Sequence, residues 1–318
     1  MSKLLIPIDI PNGSEFADDA AVLQMWEDVH ALLSQQSAVF VVGREPTEWF
    51  GVSVDASGVV GSLKAQLERR TPPIPHLEPE EPERGLTLQL DVTCSGTSVS
   101  DDMFPTDRFV EQLFLACNLA EPGSCAFTGP ESVISLDPAL IDGACRLGRL
   151  PTVDSLEADF WPELDPVSFK EAWDWLHEDL SYDVEVATTP AQIAIFTMVL
   201  LASRSPLDPD NIVAVVRAIE AIYGRGGREN ITKTVEERIE RTFGRPAQYP
   251  RWFRQFYDQR SRLVHGDRRL LRPGLTHPQT AEAITFLEEH LGPLEHGVRL
   301  VMASLYRMIR SKNRNLED

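Results

Sequence analysis

The sequence predicts an α+β protein with a β-rich N-terminal domain over residues 1–160 and an all-α helical bundle over residues 161–318. Three observations carry this. Short apolar runs with strand-like alternation dominate up to about residue 92. From about Phe169 the apolar residues recur at helical spacing behind recognisable caps. The charge changes sign between the halves: residues 1–190 carry 10 Lys and Arg against 34 Asp and Glu, and residues 191–318 carry 20 against 15.

In the N-terminal half, LLIPIDI (4–10), SAVFVVG (37–43), WFGVSVD (49–55) and LTLQLDV (86–92) read as strands. Asp55-Ala56-Ser57-Gly58 has the residue types of a hairpin connection into the following VVGSL. A helix is expected over about Asp18–Leu33 and another over Arg108–Cys117. TPPIPHLEPEEPERG (71–85) is proline-rich and acidic, as an exposed linker would be.

In the C-terminal half, FKEAWDWLHEDL is amphipathic and aromatic. Thr189 is placed to cap a helix that has Pro190 at its first position. DNIVAVVRAIEAIYG, ITKTVEERIERTFG and a stretch from Arg251 to His265 follow as helices, the first two joined by the turn GRGGREN. The last segment, PQTAEAITFLEEHLGPLEHGVRLVMASLYRMIR, reads as two helices or one kinked at Gly292-Pro293.

Composition narrows the function. No run of about 18 apolar residues is present, so no membrane partner is expected, and the N-terminus lacks a secretory pattern; a cytoplasmic location follows as the expectation. Cys94, Cys117, Cys125 and Cys145 form no CxxC pair and are expected to be reduced thiols, with no metal site and no cofactor. The net charge of −19 argues against a general nucleic-acid binder, and DNA is not an expected partner. Yet Arg225 to Arg272 holds 13 basic and 6 acidic residues, and every basic one but Lys233 is arginine.

Within that basic segment, "FYDQRSRLVHGD" (256–267) sets an arginine on an apolar face. At about 100° per residue, Phe253, Phe256, Tyr257, Leu263 and Val264 fall within roughly 60° of Arg260. A guanidinium there needs a carboxylate, carbonyl groups, a wet cleft or an anion. His265 lies five residues on, with Gly266 suited to the position just past the helix end and Ser261 one turn before the ring. His290 and His296 read as ordinary solvated or core histidines, and GRGGREN as a helix–helix turn.

Arg260-x4-His265, extended by Tyr257, Ser261, Val264 and Gly266, resembles the Rx4–6H signature of HEPN domains, closest to the Apea-like branch. The resemblance covers about residues 186–311, with nothing comparable in residues 1–160. It implies a metal-independent endoribonuclease in which Arg260 and His265 are catalytic, supported by Ser261, Tyr257 and Gly266. Its substrate would be RNA, tRNA included, cut by attack of the RNA's own 2′-hydroxyl. Arg225, Arg254, Arg262, Arg268 and Arg269 would then contact the RNA, and the domain would pair as a homodimer. An antiviral, abortive-infection type of effector, a toxin held by a trigger at its N-terminal domain, is the implied setting. His265 is followed by Gly266-Asp267, so no His-x-Tyr is present for tyrosine adenylylation. Two other readings stand beside it: a non-catalytic HEPN scaffold that binds RNA or protein, and a ligand sensor in the N-terminal domain with a helical dimerisation domain.

Overall fold

The structure, a computed structural model, describes residues 2–10, 19–34, 38–41, 49–69, 86–94, 103–127, 134–135, 161–182, 184–204, 208–224, 231–245, 252–267 and 280–316. The chain is α+β and divides into two compact units, one of residues 1–149 with 168–176 and one of residues 150–167 with 177–318.

The first unit is built on an antiparallel sheet. Its strands are β1 (Ser2–Asp9), β2 (Ala38–Val41), β3 (Trp49–Asp55) and β4 (Leu86–Cys94), with two-residue strands β5 (Ala126–Phe127) and β6 (Ile134–Ser135). The strand order is β2-β3-β4-β1-β5, with β6 also on β1. Alternation makes one face apolar: Val52 pairs with Val92, Val54 with Leu90 and Ile6 with Leu88, all of them buried. Ser53, Gln89 and Asp91, on the alternate row, stay half-exposed. Helices α1 (Asp19–Leu33), α2 (Ser57–Arg69) and α3 (Met103–Ala120) pack on this sheet. More of the unit's described residues are helical than extended, so it is a mixed layer rather than the strand-rich domain expected.

Two local expectations fail for stated reasons. Asp55-Ala56-Ser57-Gly58 does not turn a hairpin but opens α2. The Asp55 carboxylate accepts the Ser57 N–H at 2.9 Å and the Ala56 carbonyl accepts the Val60 N–H at 3.0 Å, the first helical bond. Val59 and Leu63, one turn apart, are both buried on α2. Helix α3 starts earlier and ends later than expected. At its end the Asn118 amide donates to the carbonyls of Phe114 and Cys125 and accepts from the Gly123 N–H, closing the turn into β5. Cys117 and Cys125 are free and buried there, and burial pushes the Cys117 thiol well up. The segment 71–85, Cys145 and the turn GRGGREN after Gly224 lie outside the described residues.

Helix α4 (Phe169–Asp174) closes the first unit. Ser168 and Glu171 form a reciprocal capping box, and Trp173 meets Phe109 of α3 edge-on at 5.6 Å.

The second unit is a bundle of α5 (Pro190–Ala202), α6 (Asp210–Tyr223), α7 (Ile231–Phe243), α8 (Trp252–Val264) and α9 (Ala281–Ser311). Thr189 caps α5 as expected, with Gln192 reaching back to the cap backbone. Helix α6 is central: Ile212, Val215, Val216, Ile219 and Ile222 are all buried, and α5, α7, α8 and α9 pack around it. Tyr223 at its end hydrogen-bonds Ser304 of α9 at 2.6 Å, and the Ser304 hydroxyl donates to the Leu300 carbonyl.

Helix α9 is one continuous element with Pro293 inside it rather than two helices. The ring of Pro293 cannot donate to the Glu289 carbonyl one turn back. The side-chain amide of Gln259 on α8 donates to that carbonyl instead, at 2.9 Å. His290 is buried against Phe286, and His296 uses Nδ1 on the Gly292 carbonyl at 2.7 Å, both core roles. No described helix is long and apolar enough to cross a membrane.

Candidate functional site

Everything at the site follows from how α8 is seated. A Cβ built on Gly297 of α9 would come within 2.7 Å of both the Phe256 ring and Val215, so α6, α8 and α9 meet where α9 has no side chain. Phe256 fills that gap and is fully buried, and Phe253 one turn earlier is buried beside it. Burying one such ring is worth about 1.5–3 kcal/mol. Tyr257 continues the contact by donating its hydroxyl to Glu220 Oε1 of α6 at 3.0 Å.

Past Tyr257 the stripe runs out of the packed body. Arg260 and Leu263 are half-exposed and Val264 is 53% exposed. Arg260 therefore lies at the border between core and surface, on the stripe where its spacing put it. Its Nε is buried without a hydrogen-bond partner, and it forms no ion pair among the described residues. Its guanidinium acts on Tyr257, whose phenol burial raises above the usual range. Glu220's charge and hydrogen bond raise it further, and Arg260 pulls the other way.

The helix ends as the sequence foretold. Gly266 has φ +76, its N–H reaches the Leu263 carbonyl at 3.2 Å, and the Asp267 N–H reaches the Arg262 carbonyl at 2.8 Å. This is a Schellman closure with glycine in the left-handed position. His265 is thereby presented on the last turn, exposed. No hydrogen bond joins the Ser261 hydroxyl to the imidazole among the described residues. The two residues are joined instead by the helical backbone bond from His265 N–H to Ser261 O, 3.0 Å. A side chain at i+4 lies over the turn before it, but on the last turn of a helix it can also face solvent, and here the residue is exposed.

Of the arginines expected to contact RNA, Arg254 faces Glu236 of α7 at 3.7 Å and Arg262 faces Asp258 at 4.0 Å, all but Glu236 largely exposed. Such pairs hold each other weakly, so both cations stay available to an anion. Arg225, Arg268 and Arg269 lie outside the described residues. Within one chain the structure thus brings together Tyr257, Arg260 and Glu220, and leaves His265 apart on the open end of the same helix. Glu220 was missed from sequence because its link to the motif spans 37 residues. The available signal was an acid on the edge of α6's apolar stripe, one turn from Val216 and Tyr223. No described residues group three metal-ligating side chains.

Burial raises two phenols here, Tyr257 and Tyr223. A raised folded value means that the protonated phenol favours folding. That contribution is complete below pH about 10 and is lost as pH rises through the folded values. In an alkaline absorbance titration of the five tyrosines, Tyr223→Phe and Tyr257→Phe should each remove late-ionising signal, with the early part of the curve intact. Loss of early signal instead would show these phenols to be solvated.

The chain matches no family model, no curated protein and no solved structure.

Proposed function

We propose that the helical unit is an RNA-cleaving HEPN-type domain that works without a metal or cofactor, and that Arg260 and His265 carry the chemistry. The observation that supports this most is the seating of Arg260, at the border of a packed stripe with a buried Nε that has no hydrogen-bond partner among the described residues. A guanidinium so placed fits an anion, and a phosphate supplies the multiply accepting partner for its planar fork of donors.

In the reaction the 2′-oxygen of a ribose attacks the adjacent phosphorus and the bond to the 5′-oxygen of the next nucleotide breaks. The products are a 2′,3′-cyclic phosphate and a 5′-hydroxyl, so the 2′-proton must leave and the departing oxygen must gain one. Arg260 stabilises the charge gathering on the phosphorane oxygens. His265 supplies the imidazole that moves a proton. Two copies related by a twofold axis would set Arg260 of one beside His265 of the other, which resolves their five-residue offset, and the open end of the stripe at Val264 is the surface for that pairing. Tyr257, Ser261 and Gly266 support the motif, while Arg254 and Arg262 with the neighbouring arginines hold the RNA backbone. The acidic N-terminal unit serves as the control element of an antiviral effector in the cytoplasm.

The exposure of His265 favours this over a scaffold role, where the ring would be buried and bonded. The test is incubation of the full chain with tRNA and total RNA in EDTA. Chelator-resistant cutting that leaves cyclic phosphate ends is expected, and RNA binding that weakens in Arg260→Ala. A protein that neither cuts RNA nor binds it better than Arg260→Ala does would end the proposal.

A further inference from the structure

We propose that Tyr257 acts as a spacer that keeps Glu220 from pairing directly with Arg260, so that Glu220 is a positioning residue of the site. The inference rests on the reading of Arg260 as the phosphate-facing cation.

The three side chains share one neighbourhood but are joined in only one way. Tyr257 gives its hydroxyl to the Glu220 carboxylate at 3.0 Å, and that is the only hydrogen bond of this carboxylate among the described residues. Arg260 stands one turn further along α8, close enough to act on the Tyr257 phenol, yet forms no ion pair with the acid. A half-buried carboxylate near a half-buried guanidinium would ordinarily pair with it, two N–H groups to two oxygens, and that pairing would occupy the fork. The phenol takes the carboxylate first. The negative charge then holds the cation in place at one remove, and the guanidinium edge stays unspent for an incoming anion. A carboxylate and a phenol fixed to different helices also make the arrangement a property of the α6–α8 contact rather than of α8 alone.

The prediction differs from that of a plain packing role because one loss should be repaired by a second change. In a His265→Ala background, which prevents turnover, binding of a single-stranded RNA oligonucleotide is measured in the full chain. Tyr257→Phe should weaken it about tenfold, since Glu220 is then released onto Arg260. Adding Glu220→Gln should restore affinity to within about threefold of the background protein, because the amide carries no charge to capture the guanidinium. Unchanged binding in Tyr257→Phe overturns the proposal, as does a loss that persists in the double variant. A readout without RNA separates this from the function itself. The Arg260 Nε–Hε resonance should shift in Tyr257→Phe and return in the double variant, whether or not RNA binds. A resonance that ignores Tyr257→Phe overturns the spacer role even where RNA is cut.

Discussion

On the proposed ribonuclease reading, replacing His265 or Arg260 with alanine should each slow RNA cleavage by about 10²–10⁴-fold while leaving the fold intact. The size follows from the two jobs. A positioned proton-transfer group contributes about 10²–10⁴, and removing one preorganised donor to a developing anionic charge costs about 10²–10³. The stability of the two variants should differ little from the parent, since His265 is exposed and the Arg260 Nε loses no bond. Arg260→Lys keeps the charge but loses the planar fork, and should fall near the alanine variant rather than near the parent. The double alanine variant should be hardly slower than the worse single one, because the residues act on one transition state. Single-turnover cleavage with matched melting curves decides it. Retention of full rate by either alanine variant would remove that residue from the chemistry.

Phe256→Ala should be the most destabilising change on α8, by about 3–5 kcal/mol. The ring fills the space opposite Gly297, where α9 brings no side chain and Val215 of α6 closes the third side. Its loss leaves a cavity that three helices border, and none can collapse alone. Val264→Ala, at a position of the same stripe but half in solvent, should shift stability by less than about 0.5 kcal/mol. Urea unfolding followed by helical circular dichroism gives both values. The contrast is the point: a steep fall from Phe256 to Val264 is what a stripe leaving the core requires, and similar losses at both would mean that Val264 is covered.

What could be read from the sequence was mostly local. The Thr189 cap with Pro190, the glycine closure at Gly266 and the place of Arg260 on its stripe depend on neighbours within one turn, and all stand in the structure. Asp55 to Gly58 misled because aspartate and glycine favour turns and helix starts alike. In the structure the Asp55 carboxylate accepts the Ser57 N–H and the chain runs on as α2. The short strands β5 and β6 have no pattern to detect, since two residues cannot alternate. Glu220 and Gln259 were beyond reach for a different reason. Their hydrogen bonds join positions 37 and 30 residues apart, and each exists only once α6, α8 and α9 are packed.

Pro293 carries a consequence for the motif. A proline inside a helix strands one carbonyl, and only the carbonyl four residues before it. Because Gln259 claims that oxygen, α8 has a register key against α9. Sliding α8 by a turn, or rotating it by one residue, would leave Glu289 without its donor and withdraw Phe256 from the gap at Gly297 in the same move. Arg260 is the residue next to that key. Its height along the bundle is therefore set to the single residue, and a one-residue insertion between Phe256 and Gln259 would misplace the guanidinium without altering any residue of the motif.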